Sequence, residues 1–139
     1  MYMLDTNILI FCMKHPHSQC AATLASHIGN DVCISVVTYA ELEYGIRNSS
    51  KPQQNREAIQ KILAGIRILD FDMPAAVHFG AILAELKNKH KEKQNQDRDK
   101  MIAAHARSKD FTLITDNTKD FEDISGLSIA NWRVPGDLN

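Results

Sequence analysis

The chain has 139 residues, enough for one compact domain, with the 44% apolar and 24% charged content of an ordinary globular protein. Its net charge of −1 argues against a protein that coats nucleic acid by electrostatics alone, but not against an enzyme that reaches phosphate through a bound cation. No apolar run approaches the roughly 20 residues of a membrane span, and Met1–Phe11 carries Asp5 and no basic flank, so it is not read as a signal peptide; the expected setting is cytoplasmic, with no membrane partner.

Tyr2–Leu4 reads as a short apolar strand running into Asp5-Thr6-Asn7, residue types that favour turns and helix N-caps. Ile8–Lys14 reads as a helix stopped near Pro16, and Ser18–Ile28 as a second one ending at Gly29-Asn30. The short run Val32–Ser35 suits a buried strand. Thr38 is an N-cap candidate for a helix from Tyr39 to about Arg47, with Glu41 three residues on completing a capping box. Asn48–Ser50 breaks that helix, and Pro52 suits the first turn of the next, to about Gly65. Arg67–Leu69 is a third strand, and Pro74 opens a long amphipathic helix reaching Lys89 or beyond. Asp99–Arg107 is another helix, Thr112–Thr115 a strand ending in Asp116-Asn117, and Phe121–Gly126 a turn region before a last short strand at Leu127–Ala130. The order βαβααβααβ(β), without internal repeats, predicts a single α/β domain over 1–139. Its sheet is mainly parallel, with four to five strands and helices on both faces.

Cys12, Cys20 and Cys33 form neither a CxxC pair nor an even-numbered framework, so free, partly buried thiols are expected. His17 near Cys20 has no second ligand pair to make a zinc site with.

The chemistry concentrates in acids. Asp5 and Asp116 each follow a short apolar strand, and ligands of open parallel sheets bind beyond the carboxyl ends of the strands. Each alone is equally a turn or cap residue. If the first and fourth strands are neighbours, the two carboxylates meet, repel, and raise a pKa that a hard divalent cation would relieve. Asp99 starts a helix, where an anion is favoured, and Ala103, Ala104 and Ala106 let that helix lie close to the sheet. Asp97 reads as a solvated loop charge. Glu41 is either the capping-box partner of Thr38 or a fourth acid facing the cluster, and both readings stay open. Four acids from separate segments suggest one metal site able to polarise a phosphodiester. There is no P-loop, no dinucleotide fingerprint and no nucleophile elbow.

These residues are recognisable as a set. Met3-Leu4-Asp5-Thr6-Asn7, Ser35–Gly45 with Glu41, Asp99-Lys100-Met101-Ile102-Ala103-Ala104-His105-Ala106 and Thr115–Phe121 resemble, in order, the PIN-domain nucleases. With Ile129-Ala130-Asn131-Trp132 at the close, the chain looks most like the VapC toxins of VapBC toxin–antitoxin modules. The resemblance implies a PIN-like α/β/α sandwich and a Mg²⁺ (or Mn²⁺) endoribonuclease that cuts structured RNA such as tRNA. It implies metal ligands at Asp5 and Asp99, Glu41 and Asp116 completing the acidic pocket, and Thr6, Asn7 and Thr115 orienting carboxylates. It also implies a homodimer and a VapB-like antitoxin partner. The chain departs from the family before the third acid, where 91–98 lacks the customary glycine and proline, leaving either a helical or a mobile lead into Asp99.

Lys87, Lys89, Lys91 and Lys93 form either a solvated face or an RNA-contacting rim, Lys87 aligning with Lys91 and Lys89 with Lys93 if the helix continues. His105 and His78 read as packing or hydrogen-bonding histidines. The helices at Tyr39–Tyr44 and Pro52–Gly65 are the expected dimer faces. Two rivals stand beside the nuclease reading. A small phosphatase of the haloacid-dehalogenase type would need a D-x-D pair, and Asn7 occupies the second position. A non-catalytic RNA-binding module would bind RNA without cutting it.

Overall fold

A computed structural model describes residues 1–91 and 97–137. The elements are β1 (Tyr2–Leu4), α1 (Thr6–Lys14), α2 (Gln19–His27), β2 (Val32–Ser35), α3 (Val36–Arg47), α4 (Pro52–Leu63), β3 (Arg67–Leu69), α5 (Met73–Asn88), α6 (Asp97–Ser108), β4 (Thr112–Ile114) and β5 (Ser128–Ala130). Single 3₁₀ turns at Thr118–Asp120 and Pro135–Asp137 flank β5. The five strands form one sheet in the order β3-β2-β1-β4-β5, every neighbouring pair parallel. Two helices, not one, occupy the first crossover, because Pro16 and the Ser18 cap separate α1 from α2.

The period-2 alternation of the strands divides the core. Leu4, Ile34 and Ile114 pack on one face with Ile8, Leu9, Leu24, Leu42 and Ile59 from α1 to α4. Met3, Cys33 and Leu113 pack on the other with Ile82 and Leu86 of α5 and Ile102 of α6. Ala103, Ala104 and Ala106 are fully buried, so α6 lies against the sheet as its small residues suggest. Among the described residues, no helix is long and apolar enough to cross a membrane.

The chain moves outward from β1 through β2 to β3, then returns to the other side of β1 for β4. The strand order therefore reverses between β1 and β4, paired in parallel through Tyr2↔Thr112 and Leu4↔Ile114. This switch point sets the residues after β1 and after β4 side by side.

Three local expectations are corrected. Helix α3 starts at Val36, not Tyr39, because the Ser35 hydroxyl caps it by accepting from the Val37 amide at 3.1 Å. Thr38 is thus inside the helix and fully buried, and no capping box engages Glu41. Helix α6 starts at Asp97, which is an exposed first-turn residue and not a loop residue. Helix α5 stops at Asn88 in a Schellman turn, with His90 at φ 55° and the Lys91 amide donating to the Leu86 carbonyl at 2.8 Å. That stop removes the helical face on which Lys87 and Lys91 were to align.

Candidate active site

Asp5 is the N-cap of α1, its Oδ1 accepting from the Ile8 amide at 2.8 Å, and its own amide donates to the Ile114 carbonyl at 2.9 Å. The side chain is only 8% exposed. Burial pushes its pKa up to about 6, with Thr115 nearby lowering it and the charges of Asp116 and Asp99 pushing the same way as burial. Cap and functional acid are therefore compatible roles for this carboxylate.

Asp99 lies on the first turn of α6, half-buried. Burial raises its pKa, with Glu41 and Asp120 adding to the effect and Lys100 and Arg98 opposing it. Glu41 reaches the same region from the middle of α3. Its Oε1 accepts from the Thr6 hydroxyl at 2.6 Å, its Oε2 lies 3.2 Å from Arg98 Nε, and Thr38 Oγ1 stands 3.2 Å from Thr6 Oγ1. Asp116 follows β4 and accepts from Arg133 Nη1 at 2.8 Å through Oδ2.

The four acids predicted from sequence lie near enough for charge repulsion: Asp116 and Asp99 raise the pKa of Asp5, and Glu41 raises that of Asp99. Among the described residues, no three Asp, Glu, His or Cys side chains are grouped closely enough to hold a metal ion. Two of the four acids are instead paired with arginines, while Asp5 and Asp99 carry raised pKa values. The oxygen donors of Asp5 and Asp99 suit a hard divalent cation. Thr6 lies against Glu41 through its hydroxyl, and Thr115 is fully buried just after β4. Asn7 is exposed and makes no side-chain hydrogen bond among the described residues.

The lysine segment is used unevenly. Lys89 donates to the Asp123 carbonyl at 2.9 Å and pairs with Glu85, a structural use. Lys91 joins Lys100, Lys119 and Asp120 in lining a cavity of about 210 Å³. Lys87 is exposed, and Lys93 lies outside the described residues. His105 is buried with Nδ1 2.8 Å from Ser35 Oγ and its ring edge-on to Phe71, and His78 Nδ1 accepts from Arg107 at 3.0 Å.

Sequence reasoning missed Arg98, Arg133, Thr38 and Lys100. The Lys100 side chain is buried, donates to the Asp120 carbonyl at 2.9 Å and lies 4.9 Å from the Phe121 ring centroid, fixing the turn beside Asp99. Arg98 adjoins Asp99 and could have been suspected from that alone. Arg133 meets Asp116 from 17 residues away, through a tail with no periodic pattern.

A PIN-domain family model matches residues 2–127. The tRNA(fMet)-specific endonuclease VapC of Shigella flexneri is 39% identical over 136 residues, covering 94% of this chain and 97% of the relative. Ribonuclease VapC2 of Haemophilus influenzae is 38% identical over 131 residues with the same coverage. Among solved structures, DNA-bound VapBC from Salmonella typhimurium matches with a TM-score of 0.87 at 35% identity, covering 94% of this chain and 97% of that one. VapBC2 from Rickettsia felis, bound to a promoter DNA fragment, matches with a TM-score of 0.86 at 32% identity, covering 94% and 98%.

Proposed function

Because the chain belongs to the PIN-domain family, alongside its VapC ribonucleases, we propose that it is a metal-dependent endoribonuclease toxin that cuts structured RNA, with tRNA as its substrate class and a VapB-like antitoxin as its inhibitor. The observation that carries the reading is the set of four acids from four segments at the carboxyl end of a parallel sheet, with Asp5 held buried at the β1/β4 switch.

Asp5 and Asp99 would hold Mg²⁺ or Mn²⁺, with Glu41 beside them and Asp116 in the same pocket. When bound, the cation supplies Lewis acidity at the scissile phosphate. The chain's own part is positional. Thr6 fixes the Glu41 carboxylate, Thr115 fixes that of Asp5, and the α1 and α6 N-termini favour the anionic forms. Burial of Asp5 makes its deprotonation part of loading the site.

The 39% identical relative named for tRNA(fMet) makes initiator tRNA the first substrate to try, and the VapBC structures make a VapB-like chain the first inhibitor to try. Homodimerisation fits Tyr39 and Tyr44 of α3, 39% and 68% exposed, and Met73 and Val77 of α5, 79% and 65% exposed. Helix α4 contributes little, since its outward residues are polar or small.

The test is incubation of purified protein with initiator tRNA and a mixed tRNA pool in Mg²⁺, Mn²⁺ or EDTA. Discrete cleavage that EDTA abolishes is expected. Intact RNA in both metals, or cleavage that persists in EDTA, overturns the reading.

A further inference from the structure

Arg133 is the least explained charge near the acids. Its guanidinium bonds Asp116 Oδ2 through Nη1 at 2.8 Å and the Asp137 carbonyl through Nη2 at 3.2 Å, and its Cζ lies 4.0 Å over the Phe11 ring. No other protein partner engages the fork among the described residues, and the side chain is 24% exposed. It is also held firmly in place. Trp132, just before it, stacks on His27 with centroids 4.9 Å apart. Asp137, four residues after it, accepts from the Gln19, Cys20 and Val134 amides at 2.8, 2.9 and 3.3 Å, tying the tail to the start of α2.

A carboxylate that already has an arginine counter-ion contributes less to a cation than one that does not. Mg²⁺ is commonly satisfied by one or two carboxylates plus water, and Asp5 and Asp99 supply two. Conversely, an arginine fork with unused donors, lying over an aromatic ring, is preorganised for bidentate contact with phosphate.

We infer that Asp116 and Arg133 form a phosphate-binding couple beside the metal site: Asp116 positions Arg133, and Arg133 contacts a backbone phosphate of the RNA. The inference rests on the nuclease reading above, and it gives Asp116 a different task from metal ligation. The alternative is that the pair only latches the tail.

The latch and the phosphate contact separate by salt dependence. With initiator tRNA in EDTA, where RNA stays intact, Arg133→Gln should weaken binding and lower the salt slope by roughly 0.7–0.9. In Mn²⁺ titration calorimetry, Asp116→Asn should stay within about twofold of wild type while Asp5→Asn loses roughly tenfold or more. Should Arg133→Gln fail to fold, the wild-type protein supplies the same answer. Phenylglyoxal labelling of Arg133, read by mass spectrometry, should slow at least about fivefold when tRNA is added. Labelling of exposed Arg67, at the opposite end of the sheet, should not change. An unchanged slope in Arg133→Gln, or unprotected Arg133 on tRNA-bound wild type, overturns the phosphate contact. A tenfold loss of Mn²⁺ affinity in Asp116→Asn overturns the division of labour. Wild-type protein that binds no tRNA overturns the nuclease reading, and this inference with it.

Discussion

The Thr6 hydroxyl donates to Glu41 Oε1 at 2.6 Å, joining the first turn of α1 to the middle of α3 across 35 residues of sequence. With no capping box to serve, Glu41 owes its orientation to this bond and to Arg98.

Replacing Thr6 with Val removes the bond at nearly constant volume. Hydrogen bonds to charged groups contribute about 1.5–3 kcal/mol. A 10- to 100-fold fall in kcat/KM on tRNA is therefore expected, with recovery in Thr6→Ser. Wild-type kinetics in Thr6→Val mean that Glu41 needs no such positioning.

The burial of Asp5 has a pH signature. Its pKa rises from 3.8 to about 6 on folding of the metal-free protein, so between those values the native state holds a proton that the unfolded chain has lost. Native stability is therefore lowered as pH climbs from about 4 to 6, and the deficit is complete above 6. Two pKa units correspond to about 3 kcal/mol at most. In EDTA, Asp5→Asn should be more stable than wild type at pH 7.5, by up to that amount, with the difference vanishing near pH 4. Asparagine also caps helices well, so the cap is retained. Urea melts of both proteins at pH 4, 5 and 7.5 check this; equal midpoints at pH 7.5 contradict it. Excess Mg²⁺ should reverse the ranking, because only the wild type gains from binding.

Asp110 lies just beyond α6 at φ 57°, with the Phe111 amide donating to the Ala106 carbonyl at 2.9 Å. This is the left-handed position that glycine occupies without a Cβ clash. Asp110→Gly should raise stability by roughly 0.5–1 kcal/mol without altering cleavage. A lower melting temperature would show that the aspartate side chain contributes more than its backbone costs.

The three thiols are free and buried, with Cys12 and Cys20 sulfurs 3.5 Å apart. Burial pushes the thiol of Cys33 up to about 11 and raises the other two as well. An aromatic disulfide reagent at pH 8 should react negligibly with the native protein and with all three thiols in guanidinium. Rapid native reaction would place a thiol at the surface.

The strands and the placing of Asp5 and Asp116 were legible because each follows from a local pattern, an apolar run and then a turn or cap residue, while Asp99 was read from the alanine-rich helix it begins and the parallel sheet from the alternation of strands and helices. Ser35 and Thr38 show the limit of that reading. Both are good caps by residue type, yet Ser35 caps the helix while Thr38 lies inside it with its hydroxyl against Thr6. The end of α5 was misjudged because His90 takes a conformation usually left to glycine. Arg133 was invisible because an ion pair across the fold leaves no periodicity, whereas Arg98 was signalled only by its place next to Asp99.

The account stands on Asp5 and Asp99 holding the cation that RNA cleavage requires. Its most direct test is the rate at which Asp5→Asn cuts initiator tRNA in saturating Mg²⁺, with circular dichroism confirming the fold. Loss of roughly a thousandfold or more is expected, since the variant keeps the cap but not the charge. Wild-type rates in a folded Asp5→Asn protein would contradict the account.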